Sequence, residues 1–161
     1  MPILHTAMKG QGQTHNGQTV QIPPPVALQL RGPCVQVTVN LEQSAAQALV
    51  QQGGQLPPPI TGLALIDTGA SVTCIDEAAA QRLKLPVIDV VTMSSASHAR
   101  TEQNVYPIQI EIAGFPIRLQ APKAVGAELT PHGIVSLIGR DVLSGCTFFY
   151  DGITGQIILS I

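Results

Sequence analysis

The stretch that most constrains this chain is the apolar run Leu63, Ala64, Leu65 and Ile66, which ends in Asp67, Thr68 and Gly69. A short apolar run closed by a turn signal reads as a buried strand that delivers a tight turn. A carboxylate at the end of a buried strand sits in low dielectric, where its ionised form is disfavoured unless a neighbour shares the charge or donates hydrogen bonds to it. Asp67 is therefore either a structural cost or an active group. Thr68 supplies a hydroxyl that fixes the turn or reaches a neighbouring chain, and Gly69 lets another backbone approach where a side chain would collide. The spacing suits a carboxylate exposed to a peptide.

Composition bounds what such a turn belongs to. A chain of 161 residues is most economically one domain, large enough to bury about two thirds of its unfolded surface. The net charge is −2 and the basic residues are scattered, so neither nucleic acid nor an anionic membrane is an expected partner. The apolar content of 45% fits a compact core plus a buried subunit interface. Cys34, Cys74 and Cys146 cannot all pair within one chain and lack metal-ligand spacing, so they read as buried thiols in a reducing compartment with no metal bound. No charged start followed by a long apolar stretch marks a signal peptide, and no run approaches the length of a membrane span. The expectation is a soluble, cytoplasmic protein.

In chain order, residues 1–25 read as a flexible arm, rich in Gly, Gln, Thr and His over 1–18 and with a short strand at 20–22 before three prolines. Residues 26–30 and 34–41 alternate apolar and polar around Arg31, Gly32 and Pro33, which predicts a hairpin. The Ala- and Gln-rich 42–52 predicts a short helix, and Pro57 to Pro59 a stiff surface linker, making 42–59 an insert. Asp76 caps a second helix through about Leu83, with Glu77 as its first-turn acid. Residues 87–93 and 105–112 predict a long hairpin with a polar tip over 94–104. A strand over 115–121 precedes a loop over 123–133, and an apolar strand over 134–138 leads to Gly139. The last hairpin turns at 151–155 and ends on an apolar strand, which as a sheet edge would need cover from a second subunit.

Leu65 to Ser71 resembles the active-site loop of retropepsin-like aspartic proteases. Leu137, Ile138, Gly139, Arg140, Asp141, Val142 and Leu143 are similar to the segment with which that family passes beside the loop and starts its short C-terminal helix. The resemblance covers residues 26–161. It implies an all-β, retropepsin-like acid-protease barrel with one or two short helices, active as a homodimer and without a cofactor. It makes Asp67 catalytic, has Thr68 tie two loops across a two-fold axis, and puts Gly69 and Ala70 on the floor under an extended peptide. The 94–104 hairpin tip becomes the flap, so Ser94, Ser95, Ala96, Ser97 and His98 become substrate-binding candidates, although the usual flap is glycine-rich. Gly139, Arg140 and Asp141 become structural. In this family the arginine commonly pairs with an acid two residues after the glycine, where this chain has Ser71.

The dimer also follows from chemistry. Hydrolysis without a covalent intermediate needs one carboxylate to take a proton from water while another donates one. Two adjacent carboxylates do this by sharing a proton, a known property of aspartic proteases as a class rather than a result from this chain. There is one Asp-Thr-Gly, and the other aspartates read as cap, strand, helix-start and turn residues, so an identical chain would supply the second Asp67. Activity should then decline as pH rises and the last shared proton leaves. The alternative is a non-catalytic homodimer of the same fold that binds peptides or holds an assembly together. An unrelated β-sandwich or barrel in which Asp-Thr-Gly is only a turn ranks below both. The chain lacks Gly-x-Ser-x-Gly, His-Glu-x-x-His and a phosphate-cradling Lys loop, which sets aside serine hydrolase, metalloprotease and nucleotide chemistry.

Overall fold

The computed structural model describes residues 1–95 and 98–161. Its strands in chain order are β1 (Ile3–Ala7), β2 (Gly10–Gln13), β3 (Thr19–Ile22), β4 (Cys34–Leu41), β5 (Ile60–Ile66), β6 (Cys74–Asp76), β7 (Asp89–Ser95), β8 (His98–Ile112), β9 (Arg118–Ala127), β10 (Ser136–Ile138), β11 (Thr147–Asp151) and β12 (Gln156–Ser160). The helices are α1 (Pro24–Arg31), α2 (Gln43–Gln51), α3 (Glu77–Arg82) and α4 (Arg140–Leu143). A 3-10 turn occupies Thr130–His132.

One sheet runs β4, β5, β10, β6, β9, β8, β7, and β4 also pairs with β8, which closes six of these strands into a barrel. Closure removes the exposed edges an open sheet of this size would present. Inward-facing residues on alternate positions, among them Val37, Val39, Ile66, Ile108, Ile110 and Ile138, are almost completely buried. Strand β7 hangs beyond β8 as the outer half of a hairpin.

The first 25 residues differ from the flexible arm that their composition predicts. β1 pairs antiparallel with β12, β2 pairs with β3, and Leu4 and Met8 are buried in the core. Two apolar anchors with a partner strand outweigh a polar, glycine-rich composition, because burial and ladder bonds depend on a sheet edge far away in sequence. The same pairing corrects the expectation that β12 needs a second subunit to cover it. β12 lies between β1 and β11 of its own chain.

Residues 26–30 are helical rather than a strand. Pro24 and Pro25 occupy the first helical positions, where the fixed φ of proline favours a helix and the missing N–H is not needed. Adjacent Ala27 and Leu28 are both buried, which no strand alternation allows. Gly155 holds this helix against the β11–β12 turn. Its φ is +71°, and a Cβ there would lie 2.1 Å from the carbonyl carbon of Pro24.

The hairpin β7–β8 is longer than expected, with pairing carried out to Ser95 opposite His98. Polar residues over 94–104 read as loop because neither face of an outlying hairpin must be apolar. β9 likewise runs through Pro122 into the predicted loop, with a register shift opposite Tyr106 and Ile108. A bulge is where a strand tolerates a proline. The helix count is four among the described residues rather than one or two. The expected helices over 42–52 and after Asp76 are present. No helix among the described residues is long and apolar enough to cross a membrane.

Asp76 is the predicted cap and something more. Its carboxylate accepts from Ala79 N at 3.2 Å, Leu129 N at 2.9 Å, and Thr130 N and Oγ1 at 2.8 and 3.1 Å. Burial is the largest single influence and raises its pKa, but these hydrogen bonds together outweigh it and hold the carboxyl below its ordinary value. A depressed carboxylate contributes stability above the unfolded value of about 3.9 and loses it as pH falls through the folded value. Wild type is therefore expected to lose more unfolding free energy between pH 7 and pH 3 than Asp76→Asn, by urea denaturation. Equal losses in the two proteins would remove Asp76 as the source.

Candidate active site

The Asp67 turn begins where β5 ends. Because β10 runs parallel to β5 with Ile138 beside Ile66, Asp67 N donates to Ile138 O at 2.9 Å, which fixes the first residue of the turn to the barrel wall. Asp67 is half-buried, and its Oδ1 accepts from Gly69 N at 2.8 Å and from Ala70 N at 3.3 Å. A side chain at position 69 would put its Cβ 3.0 Å from that oxygen. The missing Cβ is what lets the amide close on the carboxylate. Backbone donors aimed at Oδ1 hold the side chain in one orientation.

A second layer holds the turn from behind. The chain at Gly139 crosses so close that a Cβ there would lie 2.4 Å from Val72 C and 2.5 Å from Val72 O. Arg140 N donates to Ala70 O at 3.0 Å and Asp141 N to Ser71 O at 3.3 Å. The Arg140 guanidinium answers the question that Ser71 raised: its Nη1 donates to Thr68 O at 2.7 Å and Gly69 O at 2.9 Å. With no acid at position 71, the arginine binds the carbonyls of the turn itself.

Thr73 went unnoticed in the sequence. Its fully buried hydroxyl accepts from Gly139 N at 3.0 Å and donates to Asp141 Oδ1 at 2.8 Å, bolting the two motifs together. A threonine just ahead of a short strand carries no sequence signal for this, since only the crossing brings its partners within reach.

Thr68 is exposed beside the turn and Ala70 half-buried. Gly139, Arg140 and Asp141 lie against the turn through the contacts just described. Ala96 and Ser97, and the side chains of Ser94, Ser95 and His98, lie outside the described residues. Cys74 sits below the turn, and burial first, then the Asp141 and Asp67 carboxylates, push its thiol up to about 11. It stays protonated and is no competing nucleophile. No cluster of metal-ligating side chains occurs among the described residues.

A sequence profile of the aspartyl protease family matches residues 35–142, more than half of the chain, including the Asp67 turn and the second motif as far as Val142. The chain belongs to the aspartyl protease family. Its closed barrel with few short helices agrees with the all-β, retropepsin-like class that the two motifs imply. No curated protein matches the chain. Among solved structures, this aspartyl protease family member is similar to a retropepsin-like aspartic protease from Rickettsia conorii, at 13% identity and a TM-score of 0.46, over 98% of this chain and 90% of that one. It is also similar to a foamy viral protease-reverse transcriptase solved with an RNA/DNA hybrid, at 17% identity and a TM-score of 0.43, over 70% of this chain. The chain spans only 12% of the length of that viral protein.

Proposed function

We propose that this chain is an aspartic endopeptidase that hydrolyses peptide bonds as a homodimer. The observation that carries the reading is the Asp67 carboxylate, held by two backbone amides on a turn that Arg140 and the Gly139 crossing lock in place. Such rigidity matters because catalysis by positioned groups depends on keeping them within a fraction of an ångström of the reacting atoms. One carboxylate cannot serve as base and acid in the same step, so a second chain supplies the other Asp67 across a two-fold axis. Between them the pair activates a water for attack on the carbonyl carbon and protonates the departing amine. Exposed Thr68 is suited to tie the two turns together, Gly69 and Ala70 form the floor, and the β7–β8 hairpin serves as the flap over the peptide. The occupant is an extended peptide or protein segment.

Shared catalysis makes a distinctive prediction. Mixing wild type with a large excess of Asp67→Asn should draw most wild-type chains into mixed dimers and suppress hydrolysis of a fluorogenic peptide in proportion to the excess. An unchanged wild-type rate, with mixed dimers demonstrated by native mass spectrometry, would show that each chain works alone. Dimers with no Asp67-dependent cleavage would favour the non-catalytic peptide binder.

A further inference from the structure

Strand alternation places Leu63 and Leu65 on one face of β5, opposite the core residues Ala64 and Ile66, and Asp67 follows at the end of the strand. On that face lies a pocket of about 680 Å³ whose apolar wall includes Leu63, Leu65, Ile134 and Leu137. Leu137 is paired with Leu65 across the sheet, so the wall continues directly from the strand that carries Asp67. The same pocket is bounded by two basic side chains, Arg31 and His132, and no carboxylate lines it. Glu128 and Asp67, the acids nearest in sequence to the lining, are not part of it.

Arg31 is exposed at the end of α1, and its Nη2 donates to Gln11 O at 3.3 Å, which steadies the guanidinium while leaving its other N–H groups for a ligand. The sole ion pair among the described residues joins Arg118 to Glu111, so neither Arg31 nor His132 has an acidic partner among them. An unpaired cation beside an apolar hollow is poorly suited to a basic ligand and well suited to a carboxylate. In an extended peptide, residues two positions apart face the same way and stand about 7 Å from each other. A side chain that fills the hollow is therefore followed on the same face by one that reaches the rim.

We propose that this pocket selects peptides in which a large apolar residue is accompanied, two positions away, by Asp or Glu held at Arg31 and His132. The inference rests on the reading that an extended peptide crosses Asp67, and it names the chemistry of that peptide. Arg31 is positive at every working pH. His132 adds a second hydrogen-bonding group at the same rim.

Binding tests this without relying on turnover. The full-length Asp67→Asn chain is titrated into a labelled eight-residue peptide with central leucine and glutamate two positions to either side, and into its glutamine counterpart, with fluorescence anisotropy at low salt. The glutamate peptide should bind about fivefold tighter, as a partly exposed charge-assisted hydrogen bond would give. Adding Arg31→Lys should keep most of that preference, whereas adding Arg31→Gln with His132→Gln should abolish it, each variant being checked by its thermal melt. Equal affinity for the two peptides, binding of neither, or a preference that survives the double neutralisation would overturn the proposal. Whether the chain is a protease is decided separately: Asp67-dependent cleavage of a mixed library by wild type, with no acid enriched near the cuts, would leave the enzyme standing and remove only the selectivity.

Discussion

Replacing Asp67 with asparagine is expected to lower peptide hydrolysis by about a thousandfold or more, the range that loss of a positioned acid–base group produces, while the thermal melt barely moves. Asparagine keeps the size of the side chain and an Oδ1 that still accepts from Gly69 N and Ala70 N, which are 2.8 and 3.3 Å from the aspartate oxygen. What it removes is the ionisable oxygen. The fold survives because the turn is held by other bonds, from Asp67 N to Ile138 O and from Arg140 to the carbonyls of Thr68 and Gly69. The measurement is cleavage of a mixed peptide library at mildly acidic pH, with products read by mass spectrometry. Equal cutting by both proteins would mean that another chemistry is responsible. The wild-type profile should also fall as pH rises, since the shared proton that lets one carboxylate act as acid is then lost. A rate that keeps climbing into the alkaline range would contradict a paired-carboxylate mechanism.

Gly139→Ala is expected to destabilise the protein by about 3 kcal/mol, near the top of the range for overpacking a core, and to reduce activity in the fraction that still folds. The expectation does not come from backbone strain. Gly139 has φ −88° and ψ 178°, an extended conformation open to any residue. It comes from space, because the added Cβ would lie 2.4 Å from Val72 C, 2.5 Å from Val72 O and 2.8 Å from Thr73 N. These are backbone atoms that no rotamer change can move aside. Relief requires the chain at Gly139 and the 67–73 turn segment to separate, and that separation would break Gly139 N to Thr73 Oγ1 and Arg140 N to Ala70 O. Stability and the orientation of Asp67 are thus coupled at this crossing. Urea denaturation with a wild-type midpoint for Gly139→Ala would show that the crossing is looser than described. A lowered midpoint with unchanged specific activity would separate packing from catalysis.

The local pattern of the chain is enough to specify the turn and its partner segment. A buried apolar run ending in Asp-Thr-Gly and a distant Gly-Arg-Asp are short-range features, and the structure brings them together at the end of parallel strands β5 and β10. The capped helix at Asp76, the helix over 42–52 and the turn at 151–155 were legible for the same reason, since caps, glycine turns and Ala-rich runs act over a few residues. Elements whose state depends on a remote partner were not legible. Residues 1–13 become strands because β12 and β3 offer edges, and Leu4 and Met8 find the core. Residues 24–31 become a helix because Ala27 and Leu28 are covered together and Gly155 leaves room for Pro24. Pro122 stays within β9 because the register shifts beside it.

By itself, then, the sequence determined the chemistry on offer: one turn-borne carboxylate in a single Asp-Thr-Gly, with no metal-ligand pattern and no activated serine. Only the tertiary structure decided what holds that carboxylate and what surrounds it. Arg140 binds the carbonyls of the turn, Thr73 bolts two motifs 66 residues apart, and Arg31 and His132 meet at one apolar pocket. The division has a physical cause. Propensity, capping and turn chemistry are settled by neighbours in sequence, whereas hydrogen-bond partners, close backbone crossings and the sign of the charge around a pocket are settled by which strands close the barrel.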